Sequence, residues 1–160
     1  MKIKQRNINK SLLILLSLSF FLRAILAMIV EFGNDEVYYW TYAMYPDWSH
    51  FDHPPMVGWL IQLFSCNLLF DSELFLRLSS VVFMTINTYL VFLIGKQVKN
   101  EQTGFYAALL YTASIYAFVI TGIFILPDTP LSIFTLLAVL QFVKYFQYDK
   151  NKHLLLAGLF

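Results

Sequence analysis

The chain is poor in the residues that most soluble chemistry needs. Charged residues make up only 13% of its 160 positions, where an ordinary soluble domain has about a quarter. Cys66 is the sole cysteine, which excludes an internal disulfide and any cysteine metal motif. Six scattered glycines form neither a GxGxxG turn nor a phosphate loop. The net charge of +1 offers nothing to a nucleic-acid backbone, so no nucleic-acid partner is expected. There is no internal repeat and no low-complexity tract. A last absence is local: residues 31–73 contain no lysine or arginine, although they hold Glu31, Asp35, Glu36, Asp47, Asp52, Asp71 and Glu73.

What remains is hydrocarbon. The chain is 59% hydrophobic and 18% aromatic, the composition of a membrane protein. A helix needs about 20 mostly apolar residues to cross a bilayer. This predicts an all-α, polytopic helical bundle with spans over 11–30, 74–94, 105–126 and 130–146, and a fifth from 154 onward that is cut off at Phe160. On this reading residues 1–160 are the N-terminal part of a single transmembrane domain. Residues 56–70 are apolar but short for a span, and are expected to lie as a helix at the interface. Lys2, Lys4, Arg6 and Lys10 precede the first span, Lys96 and Lys99 follow the second, and Lys144, Lys150 and Lys152 surround the end of the fourth. All three groups share one side if residues 56–70 do not cross, and the positive-inside rule makes that side cytoplasmic. Residues 31–73 then form an outer loop. The first span is no cleaved signal peptide: the run is long, Arg23 interrupts it, no small-x-small site follows, and more spans come after.

The chemistry-bearing residues sit in that loop and in one later island. Asp35 and Glu36 follow the first span; as a cap, Asn34 or Asp35 would be the N-cap of the next helix, with Glu36 in its first turn. Tyr38, Tyr39, Trp40, Tyr42, Tyr45, Trp48 and Phe51 exceed what an interfacial aromatic belt requires and suit stacking on sugars. In Phe51-Asp52-His53-Pro54-Pro55 the prolines fix an extended backbone that aims Asp52 and His53; these two, with His50, are also metal-ligand types. In Leu126-Pro127-Asp128-Thr129-Pro130-Leu131, Thr129 fits an N-cap and Pro130 a first helical residue, which leaves Asp128 without a capping duty. Arg23 lies deep in the first span and must face the bundle, paired with a carboxylate or a lipid phosphate. Arg77 stands near the outer end of the second span, where it can snorkel to the interface.

In this order, DEVYYW, FDHPP, SELFLRLSS and LPDTPL resemble the N-terminal part of the GT-C membrane glycosyltransferases. The nearest group is the family of dolichyl-phosphate-mannose–protein mannosyltransferases and bacterial lipid A aminoarabinose transferases. The resemblance implies transfer of a sugar from an undecaprenyl- or dolichyl-phosphate type carrier to a hydroxyl on a lipid, glycan or protein. The reaction would take place on the outer face of a membrane, here the bacterial inner membrane. It makes Asp35, Glu36 and Asp128 the catalytic candidates. Tyr38, Tyr39, Tyr42, Asp52, His53 and Arg77 become substrate-binding candidates. Many relatives carry lysine where this chain has His53, so that residue is expected either to donate to the donor phosphate or, with Asp52, to hold a divalent metal. A transporter or flippase would put its ionisable groups near the midplane, and a non-catalytic assembly subunit would not need Asp35 or Asp128 at all.

Overall fold

The structure is a computed structural model that describes residues 5–160. Its elements are α1 (Gln5–Ile29), α2 (Asn34–Met44), α3 (Met56–Phe64), α4 (Glu73–Val98), α5 (Glu101–Ala113), a π-helical turn (Tyr116–Ile120), α6 (Asp128–Tyr148) and α7 (Asn151–Leu159). Three of these helices, α1, α4 and α6, are long and apolar enough to cross a membrane. Their outward faces are hydrocarbon: Leu13, Leu18, Phe21 and Ile25 of α1 are all more than half exposed. Water would not tolerate so continuous an apolar surface, whereas lipid requires it. The protein is an all-helical polytopic membrane bundle.

α4 is the hub, packing against α1, α3, α5 and α6. It meets α5 at a glycine-to-glycine crossing, where a Cβ on Gly95 would lie 2.8 Å from Gly104 Cα. At this same end the side chain of Gln97 reaches Gln147 and donates to the Tyr148 hydroxyl at 2.7 Å. Ile8 and Leu12 of α1 pack there with Phe92 and Ala108. The start of α1 and the ends of α4 and α6, with their flanking lysines, therefore share one end of the bundle, as the charge pattern predicts. Lys2 and Lys4 lie outside the described residues.

The opposite end holds α2, α3 and residues 121–127. Here Tyr39, Tyr42, Ala43, Val57, Ile61, Leu76 and Ile125 form one buried cluster that joins four segments. Gly58 lets α3 close on α2: a Cβ there would lie 2.8 Å from the Tyr42 backbone.

Four expectations need correction. The interface helix ends at Phe64 instead of running to residue 70. The Ser65 hydroxyl captures the Leu68 N–H at 2.9 Å, and Cys66, Asn67 and Leu68 wind left-handed, so a local side-chain bond replaces the helical ladder. At nine residues, α3 is about 14 Å long, half a bilayer core. The apolar run 105–126 is likewise not one helix. Ser114 turns extended after α5, its hydroxyl donating to Tyr111 O at 2.8 Å and accepting from Ala117 N at 3.2 Å. A π turn and the loop 121–127 follow. The N-cap of α2 is Gly33, ahead of both Asn34 and Asp35. Helix α6 begins at Asp128, so Thr129 is not its N-cap. Thr129 is buried instead, its hydroxyl donating to Thr121 O at 3.1 Å.

Candidate active site

The site is organised by a buried ion pair. Arg77 on α4 and Glu36 on α2 are both essentially without solvent exposure. Arg77 Nε donates to Glu36 Oε1 at 2.7 Å and Nη2 to Oε2 at 2.6 Å, the bidentate fork that a guanidinium makes best. The remaining guanidinium donors bind Ala27 O, Val30 O and Glu31 O, the open carbonyls at the end of α1. Glu36 Oε2 also accepts from Gly33 N at 3.1 Å, which satisfies the start of α2, and Oε1 accepts from Ile125 N at 3.1 Å. The rings of Phe32 and Phe124 lie 4.7 and 5.8 Å from the guanidinium carbon. One pair thus pins the end of α1, the start of α2, α4 and the loop 121–127 together.

This corrects two expectations. Glu36 has no free lone pair to act as a base, because both oxygens are fully engaged. Arg77 does not snorkel: it is fully buried, and its donors are used on Glu36 and the α1 carbonyls.

Asp35, the residue before Glu36, is left free. It lies in the exposed first turn of α2, its carboxylate hydrogen-bonded to no described residue. It lines a cleft of about 340 Å³ with Gly33, Asn34, Glu36, Phe124 and Leu126. The far wall is therefore the loop that Glu36 holds through Ile125. Asp128 opens α6 just beyond that loop, and its Oδ1 accepts from the Tyr116 hydroxyl at 2.8 Å. Tyr116 was not foreseen. It lies on the π turn, and the only hint in the sequence is the Ser114 and Thr121 hydroxyls interrupting an apolar run.

The third carboxylate is held rigidly. Asp52 Oδ1 accepts from Tyr42 OH at 2.6 Å and Tyr38 OH at 2.7 Å. These two bonds, Tyr42 first, hold the Asp52 carboxyl below the usual carboxylate range. Burial, then the hydrogen bond to Asp52, pushes the Tyr42 hydroxyl up, so it stays a proton donor. His50 stacks on Tyr42 with 3.6 Å between ring centroids. His53 Nε2 stands 3.7 Å from Asp52 Oδ2 and its ring is 5.5 Å from that of Tyr39. The FDHPP segment is thereby fastened to α2.

Tyr39 belongs to the buried cluster at this end. Its hydroxyl is pushed up by burial and then by the negative charges of Asp52, Asp35 and Asp128. The structure thus gathers Asp35, Asp128, Asp52, His53, Tyr38, Tyr39 and Tyr42 at one end of the bundle, braced by Glu36–Arg77. Among the described residues, no three His, Cys, Asp or Glu side chains converge as metal ligands. Asp52 and His53 supply two ligand types, and Asp52 Oδ1 is already taken.

Residues 52–160 match the profile of the dolichyl-phosphate-mannose-protein mannosyltransferase family. The chain belongs to that family. Membership makes it a membrane glycosyltransferase of the kind that draws its sugar from a polyprenyl phosphate. The match covers Asp52, His53, Arg77 and Asp128 and begins beyond Asp35 and Glu36, so it does not itself bear on those two. No curated protein and no solved structure matches the chain.

Proposed function

We propose that this mannosyltransferase-family protein transfers a sugar from an undecaprenyl- or dolichyl-phosphate type carrier to a hydroxyl on a lipid, glycan or protein acceptor. Asp35 is the general base. The N-terminus and the lysine-bearing end face the cytoplasm, and the acidic end faces outward across the bacterial inner membrane. α5 with its π turn serves as a further crossing beside α1, α4 and α6 in a single transmembrane domain.

One observation carries this reading: of two adjacent carboxylates, the structure buries and saturates Glu36 and leaves Asp35 unbonded at the mouth of a cleft. The acceptor hydroxyl attacks the anomeric carbon, forming the new C–O bond. Its proton passes to Asp35. The bond from the anomeric carbon to the phosphate oxygen breaks, and the electron pair leaves with the phosphate. Asp128, held by Tyr116, orients the acceptor or the sugar. Tyr38, Tyr39, Tyr42 and His53 present rings and polar tips to the sugar.

The test is Asp35→Asn in the chromosomal copy, with polyprenyl-phosphate sugars quantified by mass spectrometry of the lipid extract. One donor lipid accumulates if the reading holds, and its mass names the sugar. Transfer falls by about a hundredfold or more, the range expected for losing a general base. An unchanged donor pool and unchanged transfer, with the variant at normal level, would remove Asp35 from the mechanism and favour a transporter or an assembly role.

A further inference from the structure

Arg23 has no hydrogen-bond or ion-pair partner among the described residues. It is fully buried, and none of its three guanidinium nitrogens makes a hydrogen bond in the structure. Its guanidinium lies over the face of Phe118, 5.0 Å from the ring centroid. Its Nε also lies close to Gly122: a Cβ there would stand 2.9 Å from it, and 2.5 Å from the Ala117 and Phe118 carbonyl oxygens, which are the contacts that require glycine. Both neighbours belong to the segment where the helix after α5 breaks. Arg23 sits six residues before the end of α1 at Ile29, or about 9 Å below it. A guanidinium at that depth with no counter-charge is strongly disfavoured. The buried carboxylate of Glu36 belongs to Arg77, and Asp35, Asp52 and Asp128 lie beyond the span, at the loop end.

Phe118 is shared. Besides covering Arg23 it lines a second cleft, of about 360 Å³, with Thr112, Ser114, Ile115 and Val119. Ile115 is 74% exposed on the bundle surface, so this cleft opens where hydrocarbon chains lie. Its walls are apolar except for two hydroxyls. It therefore suits a ligand with an apolar tail and a small polar head.

We infer that Arg23 binds the phosphate of the carrier lipid, which enters through the cleft at the helix break as Phe118 moves off the guanidinium. This rests on the glycosyl-transfer reading above. The leaving phosphate needs cationic donors, and the saturation of Arg77 leaves Arg23, among the described side chains, as the guanidinium whose donors are all free.

The test uses the complete protein in nanodiscs and measures binding of a long-chain polyprenyl phosphate and of the matching polyprenol by native mass spectrometry. Arg23→Gln should weaken the phosphate lipid by about tenfold or more, the worth of a charge-assisted contact. It should leave the polyprenol unchanged. Arg23→Lys should recover part of the loss, and Asp35→Asn should bind like the wild type while failing to transfer. Unchanged affinity in Arg23→Gln overturns the inference. So does equal competition by inorganic phosphate, which would make this a general anion site, or loss of subunit association with lipid binding intact, which would make Arg23 one half of an interchain ion pair. In the unmodified protein, a polyprenyl phosphate with a photoreactive first isoprene unit should label peptides from residues 109–119, and labelling confined elsewhere also overturns it. Normal transfer by Asp35→Asn would sink the catalytic reading while leaving the lipid-binding result standing.

Discussion

Two arginines are buried in this bundle, and they are opposites. Arg77 uses its guanidinium donors on Glu36 and on three carbonyls at the end of α1. Arg23, on α1 itself, uses none. The first is a finished structural joint between four segments. The second is a charge held in readiness against a broken helix. A buried charge that is fully satisfied organises a fold, whereas one left unsatisfied implies a ligand or a partner.

Breaking the first joint has the largest expected effect. Glu36→Gln or Arg77→Met strands the remaining charge in the bundle and should cost about 3–5 kcal/mol. Thermal unfolding in detergent should show a Tm lower by many degrees or a protein that does not accumulate. The double variant Glu36→Gln with Arg77→Met should recover much of the loss, because no lone charge remains. Arg23→Met should do the reverse: removing an unpartnered buried charge should raise stability by about 1–2 kcal/mol in lipid-free detergent. A large fall in Tm would show that Arg23 has a structural partner and that the contrast is false.

Smaller effects sharpen the view of the acidic end. Tyr116→Phe removes the hydroxyl that holds Asp128 at 2.8 Å. It should slow transfer by about tenfold with little change in Tm, the worth of one hydrogen bond to a charged group. An unchanged rate would detach the π turn from catalysis. The smallest effect concerns pH. Asp52 has a depressed carboxyl pKa, caused first by Tyr42 and then by Tyr38. Its contribution to docking the 45–55 segment is therefore complete above the unfolded value of about 3.9 and is lost as pH falls below that, through the folded value. Fluorescence of Trp48, which packs edge-on to Trp59, should report the release in that window. In Asp52→Asn the transition should vanish.

The sequence made some of this legible. The apolar run from Ser11 to Val30, although interrupted by Arg23, is long enough to span a bilayer, and lysine spacing put the ends of α4 and α6 together. The ordered DEVYYW, FDHPP and LPDTPL segments pointed to the family that the match over 52–160 shows. The failures have one kind of cause. At Ser65 and Ser114, a side-chain hydroxyl took over a backbone bond, and periodicity cannot register such a choice. Asp35 and Glu36 are neighbours of similar chemistry, so reading along the chain gave both the same role.

The sequence by itself thus determined that this is a polytopic helical membrane protein, which end is basic, and which residue types bear the chemistry. Those follow from hydropathy, length and charge, all local properties. Only the tertiary structure decided which carboxylate is free and which arginine is taken. That choice depends on Arg77 coming within 2.7 Å of a residue 41 positions away and on Ile125 N–H reaching the same carboxylate from 89 positions away. Burial and pairing are properties of contacts, and contacts between distant segments exist only once the helices have packed.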